Sequence, residues 1–180
     1  MTGILPTSGI NAVTYTDATP TLPELLVPVA QALSKCATVG KRTPDSIVLY
    51  PSIWWWMTAQ LDSTNRPLVD LGNGQNTITV HDTDAVSGVV GAIGKVPIVV
   101  DLGIPTNLGG GTNESRVIAG ALRDTYLWEG ALRTRVLTEV LSGTLQVRLQ
   151  VYNYVAYMAN RRPAALSVVS GTGLIPPTGY

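Results

Sequence analysis

The stretch that decides the fold is residues 45–69, DSIVLYPSIWWWMTAQLDSTNRPLV. Residues 46–50 are a short apolar run with β-branched side chains, which predicts a buried strand. Pro51 ends that strand, and Ser52 can cap a helix because its hydroxyl oxygen accepts a hydrogen bond from a free amide of the first turn. Residues 53–61 then have the apolar spacing of a helix of two to three turns, and a turn follows. The sequence predicts a strand, a tight corner and a helix carrying three tryptophans.

The three consecutive tryptophans constrain how this helix packs. Successive helical residues are about 100° apart, so the three side chains fan over roughly 200°, more than one core face covers. Trp54 aligns with Met57 and Leu61, which predicts a core stripe, and Trp56 is expected to be half buried. Trp55 is expected to point away from the core. It is either a partly exposed side chain or a protein contact, since exposed indoles are enriched at interfaces.

The rest of the chain mixes helix and strand signals. Thr21 and Glu24 have capping-box spacing, and apolar residues at helical intervals predict a helix over 22–39 that Pro28 kinks and Gly40 ends. Residues 70–95 are glycine-rich and are predicted to be irregular except for one short strand. Strands are predicted at 11–16, 46–50, 77–80, 96–101, 116–121, 125–128, 132–138, 145–152 and 166–169. Without a regular βαβ alternation, these signals predict an α+β (mixed α/β) fold.

Composition limits the class of function. The 180 residues suffice for one domain with a core; 45% of them are apolar, 13% are charged, and the formal net charge is zero. A charge-poor, balanced surface argues against binding nucleic acid by neutralising phosphates, and fits a surface covered by copies of the same protein. The single cysteine, Cys36, excludes an internal disulfide and is expected to be buried. No apolar run long enough for a membrane span and no signal peptide are present, which indicates synthesis in a cytoplasm.

Catalytic signals are weak. His81 is the only histidine, and with Asp82 and Asp84 it forms either a poor metal site or, as we favour, a solvated loop. The glycines of 88–94 lack the spacing of a dinucleotide fingerprint, and those of 109–111 lack the lysine of a P-loop. The sequence therefore predicts no enzyme, no cofactor and no metal.

Several motifs in a fixed order resemble one family. They are Pro51, Trp54 and Trp56, Ala59-Gln60-Leu61-Asp62, Arg66-Pro67-Leu68-Val69, Ile104-Pro105-Thr106-Asn107-Leu108, Leu127-Trp128-Glu129-Gly130, Val140-Leu141-Ser142-Gly143-Thr144-Leu145, Gln150-Val151-Tyr152-Asn153-Tyr154 and Ser170-Gly171-Thr172-Gly173-Leu174. In these motifs, from about Gly9 to Leu174, the chain resembles the HK97-fold major capsid proteins of tailed bacteriophages, in the branch that infects actinobacteria.

The resemblance implies an architecture and a role. It implies an axial domain at 18–135 and a partial peripheral domain made of 1–17 and 136–180. The implied function is that of a capsid subunit associating with copies of itself or with full-length subunits in an icosahedral shell. The implied location is the virion capsid, after assembly in the host cytoplasm, with no membrane and no sequence-specific nucleic acid as partner. The alternative is a truncated homologue that binds full-length subunits and modulates assembly; an encapsulin-type compartment fits the motifs less well.

The resemblance also implies missing parts. Family members carry an N-terminal arm, an extended loop and the start of a spine helix before the position of Gly9, whereas this sequence opens just upstream of it. If the spine helix normally covers the aliphatic face of the strand at 145–152, that face needs another cover. We expect either the helix at 22–39 or another chain to supply it.

A set of residues is expected at subunit contacts. Arg133 and Arg135 alternate on one strand, with Glu139 further on. They form either a solvated strand face or inter-subunit ion pairs, and the resemblance favours the second. The predicted interface residues are Trp55, Arg133, Arg135, Glu139, Arg148 and Tyr152.

Overall fold

A computed structural model gives the structure of the protein and describes residues 2–69, 78–80, 88–138, 142–144 and 146–179. The loop of His81, the predicted interface residue Glu139 and Leu145 lie outside the described residues. The helices are α1 (Leu22–Thr38) and α2 (Pro51–Thr58). The strands are β1 (Asn11–Thr14), β2 (Ser46–Leu49), β3 (Ile78–Val80), β4 (Val89–Ile93), β5 (Val96–Val100), β6 (Val117–Gly120), β7 (Tyr126–Glu129), β8 (Arg133–Leu137), β9 (Arg148–Tyr152), β10 (Val155–Met158) and β11 (Leu166–Ser170).

A seven-stranded mixed sheet forms the body of the molecule. Its strand order is β1-β11-β6-β2-β5-β4-β3, with β1 parallel to β11, β2 parallel to β5, and the other pairs antiparallel. This arrangement confirms the predicted α+β class with mixed pairing. The sheet joins strands from both parts of the predicted domain division, because β1 and β11 come from 1–17 and 136–180. The division itself stays a prediction.

Helix α1 covers the half of the sheet formed by β1, β11 and β6. It begins as the capping box predicts: the Thr21 N–H donates to Glu24 Oε2 at 3.0 Å. The helix continues through Pro28, and its buried stripe faces the sheet. That stripe comprises Leu22, Leu25, Pro28, Val29, Ala32 and Cys36. The predicted helix is confirmed.

Helix α2 begins at Pro51, directly after β2, and carries the three tryptophans. Its N-cap is Tyr50, so the prediction that Ser52 caps the helix is wrong: Ser52 lies inside the first turn, and its buried hydroxyl has no hydrogen-bond partner among the described residues. Trp54 and Met57 are buried in the main core, whereas Trp55 is 62% exposed and Trp56 is half buried, as the helical angles predict. The prediction for Leu61 is wrong, since its side chain is 52% exposed. The helix ends at Thr58, and Leu61 instead forms an antiparallel bridge to Pro67, so helical spacing no longer fixes its direction.

The structure changes three strand predictions. Residues 88–95 are not irregular: β4 forms a hairpin with β5 through Gly94 and Lys95, whose φ angles are 53° and 75°. Positive φ at both turn positions suits a tight hairpin turn, and Gly91 within β4, with Gly88 and Gly94 at its ends, weakened the strand pattern. Strand β9 starts at Arg148, later than predicted, and β10 was not predicted.

The buried thiol of Cys36 offers a test of how α1 is packed. Its Sγ lies 3.1 Å from Ser167 Oγ and 3.4 Å from the Ala119 carbonyl oxygen, and the residue is fully buried. Burial raises the pKa of the Cys36 thiol, so less of the reactive thiolate exists at a given pH. We expect an aromatic disulfide reagent to label native protein at pH 8 far more slowly than protein unfolded in guanidinium. Equal labelling rates would contradict this packing.

Candidate subunit interface

Strands β7 to β10 pair as two antiparallel ribbons that are separate from the seven-stranded sheet. Strands β7 and β10 form the base ribbon, with Tyr126 opposite Met158. Strands β8 and β9 form the tip ribbon, with Arg133 opposite Tyr152. Between the two, the Gly130 N–H donates to the Tyr154 carbonyl oxygen at 2.8 Å, so the chain runs from one ribbon into the next on both sides. We call residues 126–158 the ribbon segment.

The ribbon segment carries most of the exposed large hydrophobic side chains among the described residues. Ten of the sixteen lie there: Tyr126, Leu127, Trp128, Leu132, Val136, Val147, Leu149, Val151, Tyr154 and Val155. A two-stranded ribbon is marginally stable in water by itself, and contiguous apolar patches of more than a few hundred Å² are rare on monomers. This segment therefore has the character of a surface that another surface covers.

One face of the tip ribbon is aliphatic. The strand register places Val136 opposite Leu149 and Thr134 opposite Val151, and side chains of such cross-strand pairs lie on one face. Val136, Leu149 and Val151, which we call the aliphatic face, are 60%, 64% and 53% exposed. The expectation that the helix at 22–39 covers this face is wrong, because the buried stripe of α1 is already packed against the central sheet.

The opposite face of the tip ribbon carries three arginines. Arg133 lies opposite Tyr152, and Arg135 and Arg148 follow at alternate positions of β8 and β9. The Arg133 guanidinium lies 6.0 Å from the ring centre of Tyr154, which meets the Tyr152 ring edge to face at 5.8 Å. Within the described residues, none of the three arginines forms an ion pair. We call Arg133, Arg135 and Arg148 the arginine face.

The structure thus places four of the six predicted interface residues on one surface. Arg133, Arg135, Arg148 and Tyr152 share a face of the tip ribbon, while Trp55 lies on α2 in the body of the molecule. Glu139 lies outside the described residues. Whether any of these residues contacts another subunit stays a prediction.

Residues of the base ribbon were missing from the predicted interface. Tyr126 and Trp128 stack with ring centres 5.7 Å apart, and the Arg161 guanidinium lies 5.0 Å from the Tyr126 ring centre. Trp128 is 49% exposed and Leu127 on the other face is 64% exposed. A strand with large apolar side chains on both faces was the available signal, because an ordinary surface strand is polar on one side.

The described part of the molecule contains no cluster of metal-ligating side chains. Among residues 2–69, 78–80, 88–138, 142–144 and 146–179, no group of three or more His, Cys, Asp or Glu side chains could hold a metal ion. A cavity of about 640 Å³ between Trp56, Asp17 and Pro176 holds only one carboxylate, and that of Asp17 accepts the Thr19 N–H at 2.9 Å. In the same described residues, no helix is long and apolar enough to cross a membrane.

Comparison with known proteins identifies the fold. No protein-family model and no curated protein sequence matches the chain. Among solved structures, a virus-like particle from Pyrococcus furiosus matches with a TM-score of 0.55 and 16% identity over 92% of this chain. The capsid of an empty GTA particle matches at 0.57 with 14% identity over 90%, and a chain of Gordonia phage Cozz at 0.58 with 13% identity over 96%.

The matches reach across nearly all of this chain but only part of the others. The chain spans 58%, 50% and 52% of the lengths of those three chains, respectively. A chain of Mycobacterium phage Che8 also matches, with a TM-score of 0.56 and 14% identity. The match covers 91% of this chain and 54% of that one. The fold is thus shared with chains from a virus-like particle, a GTA capsid and two phages, all of very different sequence. This chain has the HK97-like capsid fold that its sequence motifs predict.

Proposed function

We propose that this chain is a structural, non-enzymatic subunit that associates with further copies of itself in a closed icosahedral shell. The observation that carries the proposal is the ribbon segment, whose ten large hydrophobic side chains are exposed in the single chain. Tyrosine and tryptophan, which are frequent among these side chains, are also enriched at energetically important protein contacts. The fold shared with a virus-like particle and a GTA capsid supports the same role.

Energetic estimates favour assembly through many modest contacts. Fully burying one Val, Leu or aromatic side chain is worth about 1.5–3 kcal/mol, and ten partly exposed ones leave roughly ten or more kcal/mol to be gained. Association costs about 4–15 kcal/mol in lost freedom of motion, so one such contact gives modest affinity. Closed symmetry repeats the same contact around a shell, which stabilises the whole assembly. The proposed location is therefore a capsid of a virion, assembled in the host cytoplasm.

A second candidate partner is a longer chain of the same fold. The matched structures have chains of which this one spans 50–58%, so their subunits contain segments that this sequence does not match. Such a segment could cover the aliphatic face of the tip ribbon. In that case the chain would join longer subunits and modulate their assembly.

Particle size in solution tests the proposal. We expect purified protein to show a mass that rises with concentration in analytical ultracentrifugation, and closed particles in negative-stain electron microscopy. Particles that form only after mixing with a longer chain of this fold would favour the second candidate. A monomer at all concentrations that binds no hydrophobic dye would overturn both.

A further inference from the structure

The apolar contact proposed for the aliphatic face of the tip ribbon gives the three arginines of the opposite face no role. We propose that Arg133, Arg135 and Arg148 bind the phosphate backbone of single-stranded nucleic acid without sequence preference. This goes beyond the proposed shell function, because it assigns a polyanionic ligand to a separate surface. The following arguments rest on the geometry of that surface and on the charges elsewhere in the described chain.

The spacing of the three guanidinium groups suits a chain of phosphates. Arg135 is two residues from Arg133, and Arg148 is opposite Leu137, two residues further on. Alternate residues on a strand are about 7 Å apart and neighbouring strands about 5 Å, so the three arginines form a row along a single face. All three residues are exposed. The planar guanidinium offers paired donors that match phosphate or carboxylate oxygens, which makes arginine well suited to an anion with repeated charges.

Carboxylates within the described chain are already held by other groups. In the body, those of Asp17, Glu24, Asp62 and Asp101 accept backbone N–H donors of their own turns or helix cap. Glu129 accepts a hydrogen bond from Asn153, and Asp45, Glu114 and Asp124 are paired with arginines. The described surface of a second copy therefore offers no cluster of free carboxylates to match the arginine face. Competition between oligothymidylate and polyglutamate, described below, distinguishes a nucleic acid from carboxylates as the ligand of this face.

Aromatic rings beside the arginines fit bases. Tyr152 and Tyr154 meet edge to face on this side of the ribbon, Tyr154 is 67% exposed, and Arg133 lies over the Tyr154 ring. Bases stack on such rings whatever their identity, and arginine beside a ring adds a cation–π contribution. Sites of this kind bind single strands with little sequence preference, which is the specificity that we assign here.

The zero net charge of the chain does not oppose this inference. Net charge is a sum over all 180 residues, whereas the three arginines are concentrated on one face of a single ribbon. The aliphatic face lies on the other side of that ribbon, so an apolar contact through Val136, Leu149 and Val151 and a phosphate contact through the three arginines use different side chains. Both can occur in one assembly.

Fluorescence anisotropy with a labelled oligothymidylate tests the proposal on the full chain. Three phosphate contacts predict that the logarithm of the binding constant falls with the logarithm of salt concentration with a slope of about −2. The variant R133Q/R135Q/R148Q is expected to bind roughly tenfold or more weakly at low salt, with a slope near zero. The control R66Q/K95Q/R162Q removes the same number of exposed positive charges elsewhere and is expected to bind like the wild type.

Four results would overturn the proposal. The first two are an absence of wild-type binding at low salt and wild-type binding that does not depend on salt. The third is an equal loss of binding in the control variant, and the fourth is competition by polyglutamate as effective per charge as that by oligothymidylate. The last would assign the face to an acidic polypeptide. Circular dichroism establishes that each variant is folded, and light scattering on the same samples records particle size. A failure of self-association is thereby separated from a failure to bind nucleic acid.

Discussion

Replacing Trp54 with alanine is expected to lower the free energy of unfolding by about 3–5 kcal/mol, the usual cost of emptying a large aromatic site in a core. Trp54 is 3% exposed and packs in the main core cluster with Ile53 and Met57. Domains of this size have a total stability of about 5–15 kcal/mol, so the loss is a large fraction of the whole. Urea unfolding followed by circular dichroism measures it.

The neighbouring tryptophan supplies a matched control. Trp55→Ala removes the same side chain from the next position of α2, but that indole is 62% exposed. We expect its free energy of unfolding to change by less than about 0.5 kcal/mol in unassembled protein, as for most surface changes. Similar losses for the two variants would contradict the assigned direction of α2. A loss of assembly in Trp55→Ala without a loss of stability would support the predicted protein contact at Trp55.

The triple variant V136T/L149T/V151T is expected to abolish assembly while leaving the fold intact. Threonine has the β-branched shape that strands favour but places a hydroxyl at each position of the aliphatic face. Each contact then loses roughly 3 kcal/mol of apolar burial, which weakens it more than a hundredfold. Because the shell repeats the contact, electron microscopy should show few or no closed particles, and ultracentrifugation should show a smaller mass.

Three exposed residues outside the ribbon segment provide the control. Val27, Val39 and Leu102 are 57%, 57% and 78% exposed, so V27T/V39T/L102T makes the same chemical changes in equally accessible places. We expect this variant to assemble like the wild type. If V136T/L149T/V151T assembles and the control V27T/V39T/L102T does not, the contact lies elsewhere on the molecule. That result would contradict the assignment of the aliphatic face.

Local signals in the sequence were sufficient for the elements around the core. The capping box at Thr21 and the proline at Pro51 act within one turn of chain, so α1 and the corner between β2 and α2 followed directly from residue type. The prediction that Leu61 is buried was wrong because the apolar spacing does not show at which residue the helix ends. The prediction missed β4 because glycine has a low strand propensity. The pairing of β4 with β5 across the hairpin outweighs that propensity.

The interface surface was predictable in part. Alternation along 145–152 showed two kinds of face, and Arg133 with Arg135 showed a charged side of another strand. Only the register of β8 with β9 combines them, because a shift of one residue would exchange the faces. The motifs that resemble the capsid family predicted the fold class. They did not predict where apolar surface stays uncovered, because that depends on how α1 packs.

The parallel pairing of β1 with β11 affects the order of events during synthesis. Asn11 pairs with Ser167, so β1 cannot pair with β11 until β11 has left the ribosome, and this side of the central sheet forms late. Until then, the inner surface of α1 lacks β11, and β1 has no strand to pair with. Long-range pairing of this kind slows folding. Nascent chains therefore expose the ribbon segment before the central sheet is complete. A cell that makes many copies at once would need chaperones to prevent the aggregation of unfinished chains.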